Sequence, residues 1–400
     1  MSKASSTLLV GQSGGATAVI NASLVGVVEA AVEAASFARV LGMRGGIEGL
    51  LGEQFVDLTS LPKATRELLR RTPSAALGTG RYKLRDRDLD HAIEVLRRHD
   101  IHALVFIGGN DSADTAHRLH MHAAVRGYEL AVVLTPKTVD NDLPETDHCP
   151  GYGSISRYVA NATRDATYDT IAAPQLYPVK FIEVMGRDAG WVAAACALGF
   201  GKGEQDLTPL IYLPERPPQS AELILEEIEA RVESQGFAIS VVPETLRDAM
   251  HHHLGGETPD YVDQFGHPYF ASPAAALARR VSLELGMRAR FDRPGTASRM
   301  SISLASAVDL DEASRVGAEA ARSVARGESD KMTALSRVAS DDYRSEIFTA
   351  PLVVIANHVR SLPDDFIGDD GRSVTASFRH YALPLLGPDP FPPYGRLSFT

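Results

Sequence analysis

The sequence predicts an α/β protein, on three observations. Short apolar runs alternate with stretches of helical periodicity along the chain. Three of the runs end in loops of glycine, aspartate and asparagine, as strands do at the ligand-binding edge of an open parallel sheet. No repeat, low-complexity tract or flexible linker breaks the alternation, so 400 residues with 44% apolar content fill two or three lobes that are discontinuous or tightly joined.

The elements follow in order. Residues 7–10 are an apolar run entering Gly11-Gln12-Ser13-Gly14-Gly15, and 16–35 is an alanine-rich helix. Residues 102–107 (HALVFI) are a second buried strand, followed by Gly108-Gly109-Asn110-Asp111-Ser112 and a helix to about Arg126. Residues 130–134 (LAVVL) are a third strand, running into a polar loop over 135–143. Helices are expected at 154–172, 191–198 and 220–234, and strands at 179–185, 210–213 and 237–242, the last ending in Pro243-Glu244. Farther on, 287–291 and 351–356 (PLVVIA) read as strands and 310–326 as a helix. Beyond about Leu362, prolines and glycines predict an extension wrapped on the body.

Composition excludes several classes of function. The formal charge of −11 argues against a nucleic-acid partner, which needs a basic footprint. No run approaches the roughly 18 apolar residues of a membrane span, and the start MSKASSTLLVGQ is not a signal peptide, so a cytoplasmic location is expected. The two cysteines, Cys149 and Cys196, cannot build a disulfide framework. Only seven of the forty basic residues are lysines, which draws attention to any lysine inside a loop of glycines and acids.

The loops carry the chemistry. Glycines before a helix let backbone N–H groups approach an anion. Gly11–Gly15 does this without a Walker or GxGxxG pattern, and a tight turn explains it equally well. The second loop adds Asp111, read either as a helix cap or as part of a phosphate or Mg²⁺ site. The third, Pro136-Lys137-Thr138-Val139-Asp140-Asn141-Asp142-Leu143, places a lysine, a hydroxyl and two carboxylates together after a buried strand. A turn alone would explain Asn141 and Asp142 but not the whole cluster. Phosphoryl transfer uses the whole set: a cation on phosphate, a carboxylate base and a second carboxylate toward metal.

These residues resemble the phosphofructokinase family, with five short motifs in order across nearly the whole chain. They are Gly14-Gly15; Gly78-Thr79-Gly80-Arg81-Tyr82-Lys83; Gly108–Ser112, similar to the family's GGDGS or GGDDS loop; Lys137–Asp142, similar to its TIDND segment; and Met185-Gly186-Arg187 within 184–190. The resemblance implies two Rossmann-like three-layer α/β/α lobes with the active site in the cleft between them. Residues 1–150 plus about 300–360 would bind the donor, 151–299 the sugar phosphate, and 361–400 would pack on the body.

It also implies roles. Asp140 is the general base toward a sugar C1 hydroxyl, with Lys137, Arg187 and Asp142 the other catalytic groups. Gly14, Gly15, Arg81, Gly109, Asp111, Ser112 and Lys137 bind the donor. Thr138, Asp140, Met185, Gly186, Arg187, Glu244, Arg290 and Arg299 bind the sugar phosphate. Asn110 and Asp142 face Mg²⁺. Arg290 and Arg299 keep the nine-residue spacing of two arginines that reach a neighbour's site, which implies a homodimer or homotetramer sharing its active sites across an interface.

Donor choice follows from two positions. Asp111 stands where ATP users have glycine, and its carboxylate would crowd and repel an α-phosphate. Lys137 also stands where ATP users have glycine, and adds a point cation for pyrophosphate. The expected reaction is reversible phosphoryl transfer from Mg-pyrophosphate to fructose 6-phosphate. The alternatives are an ATP-dependent enzyme, another acceptor such as sedoheptulose 7-phosphate, and a non-catalytic regulatory subunit.

Departures from the family pattern are Asn110 for a metal-linked aspartate, Thr296 for a substrate-binding histidine, and Pro178 for a phosphate-binding arginine, with Lys180 as its substitute. His251-His252-His253 and the trio His117, His120 and His122 read as surface residues, and Cys196 as a buried, inert thiol.

Overall fold

The computed structural model describes residues 6–397 except 81, 264, 265, 267 and 341. Its strands in chain order are β1 (Thr7–Gln12), β2 (Arg39–Met43), β3 (Phe55–Asp57), β4 (Ile101–Gly108), β5 (Ala131–Pro136), β6 (Val179–Val184), β7 (Leu210–Ile211), β8 (Ala238–Pro243), β9 (Tyr261–Val262), β10 (Pro268–Tyr269), β11 (Ala289–Asp292), β12 (Lys331–Arg337) and β13 (Ser345–Pro351). They form a seven-stranded sheet, β13-β12-β5-β4-β1-β2-β3, a four-stranded sheet, β11-β6-β8-β7, and a β9–β10 hairpin. Only the edges β3 and β13 of the large sheet pair antiparallel; the small sheet is parallel throughout.

The apolar runs became strands because both of their faces are covered. In the large sheet Leu9, Leu104, Phe106, Val132 and Leu134 face one apolar cluster, and Leu8, Val10, Val105, Ile107 and Val133 face another. In the small sheet Ile182, Val184, Ile239 and Val241 face one cluster, and Val179, Phe181, Ala238 and Val242 the other. Side chains alternate across a strand, so two buried faces need a continuous run of apolar residues. Helices Asp86–Arg98 and Asn110–Val125 cover one face of the large sheet, and Ile20–Glu33 and Ala307–Ala325 the other.

The two helices of that second pair touch backbone to backbone. A Cβ on Gly26 would lie 2.0 Å from Ser314 O, and one on Gly317 2.2 Å from Ser23 O. The contact carries the late segment 307–351 back onto the first sheet, where Lys331 and Met332 pair with Val133 and Leu134. The tail packs on the second sheet's cluster through Leu362, Ile367, Phe378, Leu385 and Leu386.

Most predicted elements stand within a few residues of their expected bounds. The PLVVIA run does not: β13 ends at Pro351, and Leu352–Val354 turn into a 3₁₀ helix. Leu352 and Ile355 pack inward while Val353 and Val354 stay exposed, so the run is apolar without being a strand. The sequence reading places no strand at β2, β3, β9, β10, β12 or β13.

Gly317→Ala forces the Ile20–Glu33 and Ala307–Ala325 helices apart. We expect a loss of about 1–3 kcal/mol in urea unfolding, typical of overpacking; an unchanged midpoint would contradict the close contact.

Candidate active site

Three loops meet beyond the ends of β1, β4 and β5, and a fourth arrives from β6. The first three leave the large sheet in register: Ser13 N–H donates to Ile107 O and Lys137 N–H to Gly108 O, both at 2.9 Å. Gly14 takes a left-handed φ of +76°. A Cβ on Gly14 would stand 3.3 Å from Lys137 Nζ, and one on Gly15 2.7 Å from Nη1 of Arg299. The first loop thus omits side chains where two cations close over it. Lys137 is buried, and its ammonium donates to Gly15 O at 2.8 Å. In the second loop a Cβ on Gly108 would overlap Ser112 Oγ at 2.1 Å. Gly109 O accepts from the Ser112 and Ala113 amides at 3.1 and 3.0 Å, opening the helix Asn110–Val125 with its N-terminus at the site.

The third loop is braced from inside. Asn141 adopts a left-handed φ of +55°, which asparagine tolerates better than most residues. Its Oδ1 accepts from Cys149 N–H at 2.9 Å, and its Nδ2 donates to Tyr381 OH at 3.1 Å. Thr138 Oγ1 accepts from Asp140 N–H at 3.1 Å, and its hydroxyl also hydrogen-bonds the Asp142 carboxylate. The fourth loop makes a tight turn, Ala189 N–H to Gly186 O at 2.9 Å. Within it Arg187 holds a φ of +44°, a left-handed strain of roughly 1–2 kcal/mol. Strain of this kind gathers at functional sites.

The loops enclose a cavity of about 350 Å³ lined by Gly14, Gly15, Gly109, Asn110, Asp111, Ser112, Lys137, Thr138, Asp140, Asp142, Gly186 and Arg187. A narrower space of about 130 Å³ shares Lys137, Thr138, Asp140 and Arg187 with it and adds Met185, Glu244, Tyr269 and Arg299. A third, about 120 Å³, shares Arg187 and Glu244 and extends to Arg247, Phe270 and Arg293. The three form one cleft between the two sheets.

Charge in the cleft is concentrated and desolvated. Burial raises the Asp140 carboxyl well above the usual carboxylate range. The charges of Asp142 and Glu244 add to this, while Arg187 and Lys137 oppose it. Asp142 is raised by burial against the Thr138 hydrogen bond and the charges of Arg187 and Arg360. Glu244 is raised by burial, against Arg187 and Arg293. Three crowded acids offset by surrounding cations are a site that accepts protons and binds further cations and anions together.

Among the described residues, the cleft gathers every expected site residue except Arg290; Arg81 lies outside them. Arg290, on the edge strand β11, lies over the Tyr177 ring at 3.5 Å and 3.8 Å from Asp169. Three placements bear on these expectations. Arg299 lines the cleft of its own chain. The Asn110 amide secures a turn: Oδ1 accepts from Asn357 N–H at 2.7 Å, and Nδ2 donates to His358 O at 2.5 Å. Lys180 lies 3.1 Å from both Asp169 and Asp292 and lines none of the three cavities.

Of the histidines read as surface residues, His253 is buried and stacked on Phe270 at 4.1 Å. Cys149 and Cys196 are buried, and burial pushes both thiols up to about 12. Sequence reasoning missed Arg247, Tyr269 and Arg293 in the cleft, and Arg360 behind it.

The family model described as phosphofructokinase matches residues 7–324. The chain belongs to the phosphofructokinase family. It is a phosphotransferase of two α/β lobes. It is 39% identical over 388 residues to the pyrophosphate–fructose 6-phosphate 1-phosphotransferase of Xanthomonas campestris, covering 95% of this chain and 91% of that one. The protein of the same name from Halomonas elongata is 37% identical, with coverage of 96% and 92%. The solved structure of a pyrophosphate-dependent phosphofructokinase from Marinobacter aquaeolei superposes with a TM-score of 0.85 at 34% identity, covering 98% of this chain and 94% of that one. No helix among the described residues is long and apolar enough to cross a membrane.

In the unliganded protein the Asp140 carboxyl titrates above the ordinary aspartate range. Asp142→Asn removes a repelling charge and moves that titration to lower pH. Carbon-13 NMR of aspartate-labelled protein reads both; an ordinary value in the parent protein would contradict the desolvated site.

Proposed function

We propose that this protein transfers a phosphoryl group from pyrophosphate to the C1 hydroxyl of fructose 6-phosphate, giving fructose 1,6-bisphosphate and phosphate, in both directions. The observation that carries the donor is the pairing of Asp111 and Lys137 in one cavity of about 350 Å³. A buried ammonium beside the glycine loop offsets the charge of a two-phosphate donor, and a carboxylate at the rim opposes a third phosphate. The relatives' printed names agree with this reading. The division follows the two sheets: residues 1–150 with about 300–360 serve the donor, 151–299 the acceptor, and 361–400 pack behind.

Asp140 reaches the cavity from the turn after β5 and takes the proton of the attacking hydroxyl, which requires its ionised form. Lys137, Arg187 and the N–H groups of the glycine loops stabilise charge on the transferring group. Glu244 and Arg299 orient the acceptor from the other wall.

Mg²⁺ fits the site. Among the described residues no three metal-binding side chains gather at one point. Mg²⁺ binds through one or two carboxylates with the substrate's phosphate oxygens and water completing its shell. Asp142 would hold it, with Asp140 beside it and the second lone pair of Asn110 Oδ1 available from the cavity wall. When bound, the ion neutralises phosphate charge.

A coupled assay with pyrophosphate and then ATP over a panel of sugar phosphates tests the proposal. We expect turnover with pyrophosphate and fructose 6-phosphate; turnover with ATP alone, or with neither donor, would overturn it. Asp140→Asn lowers kcat by about 10²–10⁴-fold, the span of a lost general base. Parental kcat/KM falls on acidification through a limb above the usual carboxylate range, because protonating Asp140 removes the base. A flat profile down to pH 5 would take Asp140 out of this role.

A further inference from the structure

Residues 355–362 contact the second and third loops of the site and meet the fourth through Glu215. Asn110, at the donor loop, exchanges hydrogen bonds with Asn357 N–H and His358 O. Asn357 Nδ2 reaches Asp114 Oδ1 on the same helix at 3.1 Å. Val359 lines the donor cavity. At the acceptor end, Leu362 N–H donates to Glu215 Oε1 at 2.8 Å, and the same oxygen accepts from Gly190 N–H at 2.9 Å, closing the loop that carries Arg187. Between these anchors lies Arg360.

Arg360 is committed to the catalytic turn. Its Nε and Nη2 donate to Asn141 O at 3.2 and 2.8 Å, and Nη1 donates to Thr146 O and Asp147 O at 2.6 Å each. Its own N–H donates to Asp142 O at 2.7 Å. The guanidinium lies 4.6 Å from the centre of the Trp191 ring, and Trp191 Nε1 donates to Arg360 O at 3.1 Å. One planar fork therefore ties the carbonyl between Asp140 and Asp142 to those of Thr146 and Asp147. A lysine cannot span all three, because its ammonium is a point donor.

We propose that Arg360 is a positioning residue for phosphoryl transfer: through the carbonyls of Asn141, Thr146 and Asp147 it sets the place of Asp140 and Asp142, and through segment 355–362 it keeps that turn in step with the donor and acceptor loops. It lines none of the three cavities of the cleft. The left-handed Asn141 is the joint it holds, and its release lets the carboxylates drift without emptying either binding pocket. Misplacement by about 1 Å is worth roughly 10²-fold in rate.

The inference rests on the phosphotransferase reading, so the parent enzyme is assayed first; its turnover with pyrophosphate and fructose 6-phosphate tests that reading alone. Arg360→Met and Arg360→Lys are then compared with it, using whichever donor the parent turns over. For Arg360→Met we expect kcat reduced about 10²-fold, KM for both substrates within threefold, and a thermal midpoint well above the assay temperature. Arg360→Lys should recover part of the loss. Trp191 is the chain's single tryptophan, so its emission should shift in Arg360→Met and return toward the parent value in Arg360→Lys.

A folded Arg360→Met enzyme with parental kcat would overturn the proposal, as would losses confined to KM. If Arg360→Met does not fold, Arg360→Lys decides: kcat about tenfold below parent at unchanged KM supports the role, and parental kcat overturns it.

Discussion

Asp140 and Asp142 repel each other in a half-buried turn. Left alone, two such carboxyls would hold their protons and serve neither as base nor as cation ligand. Three cations answer that repulsion, each from a different element: Lys137 from the end of β5, Arg187 from the loop after β6, and Arg360 from the C-terminal segment. The glycines of the first loop, the left-handed Arg187 and the braced Asn141 are the backbone conditions under which those charges converge.

The acceptor side follows the same rule at longer range. Glu183 is only 1% exposed on β6, yet its carboxylate takes the Ser272 hydroxyl and Ala274 N–H at the start of helix Pro273–Glu284. An acid at a helix N-terminus is favourably placed against the helix dipole. The same carboxylate lies 2.7 Å from Nε of Arg293, whose charge lowers the titration of Glu244. Signs therefore alternate from the core outward: Glu183, Arg293, Glu244, Arg187, Asp140. The cleft gathers charge without leaving a buried ion uncompensated.

Much of this was legible in the sequence because its causes are local. Strands with two buried faces declare themselves as continuous apolar runs, and the glycine and aspartate loops at their ends carry short motifs. What stayed hidden has distant causes. β12 reads KMTALSR and is a strand because it completes the sheet beside β5. PLVVIA reads as a strand and is not, because Leu352 and Ile355 plug a helix–sheet seam. The family resemblance gives Arg299 a role at a neighbour's site, and no sequence signal tells that Gly15 leaves room for it in the cleft of its own chain. Arg360 sits in a stretch with no motif, and only the folded chain shows its carbonyl partners.

The return of the late segment to the first sheet bears on how the chain is made. Lys331 pairs with Val133, and the whole second sheet lies between them in sequence. During synthesis β5 is therefore a sheet border with unpaired amides and carbonyls while the second lobe emerges. Such borders recruit other strands. A ribosome-bound intermediate ending before residue 331 leaves the flank of β5 uncovered, and only the arrival of β12 covers it.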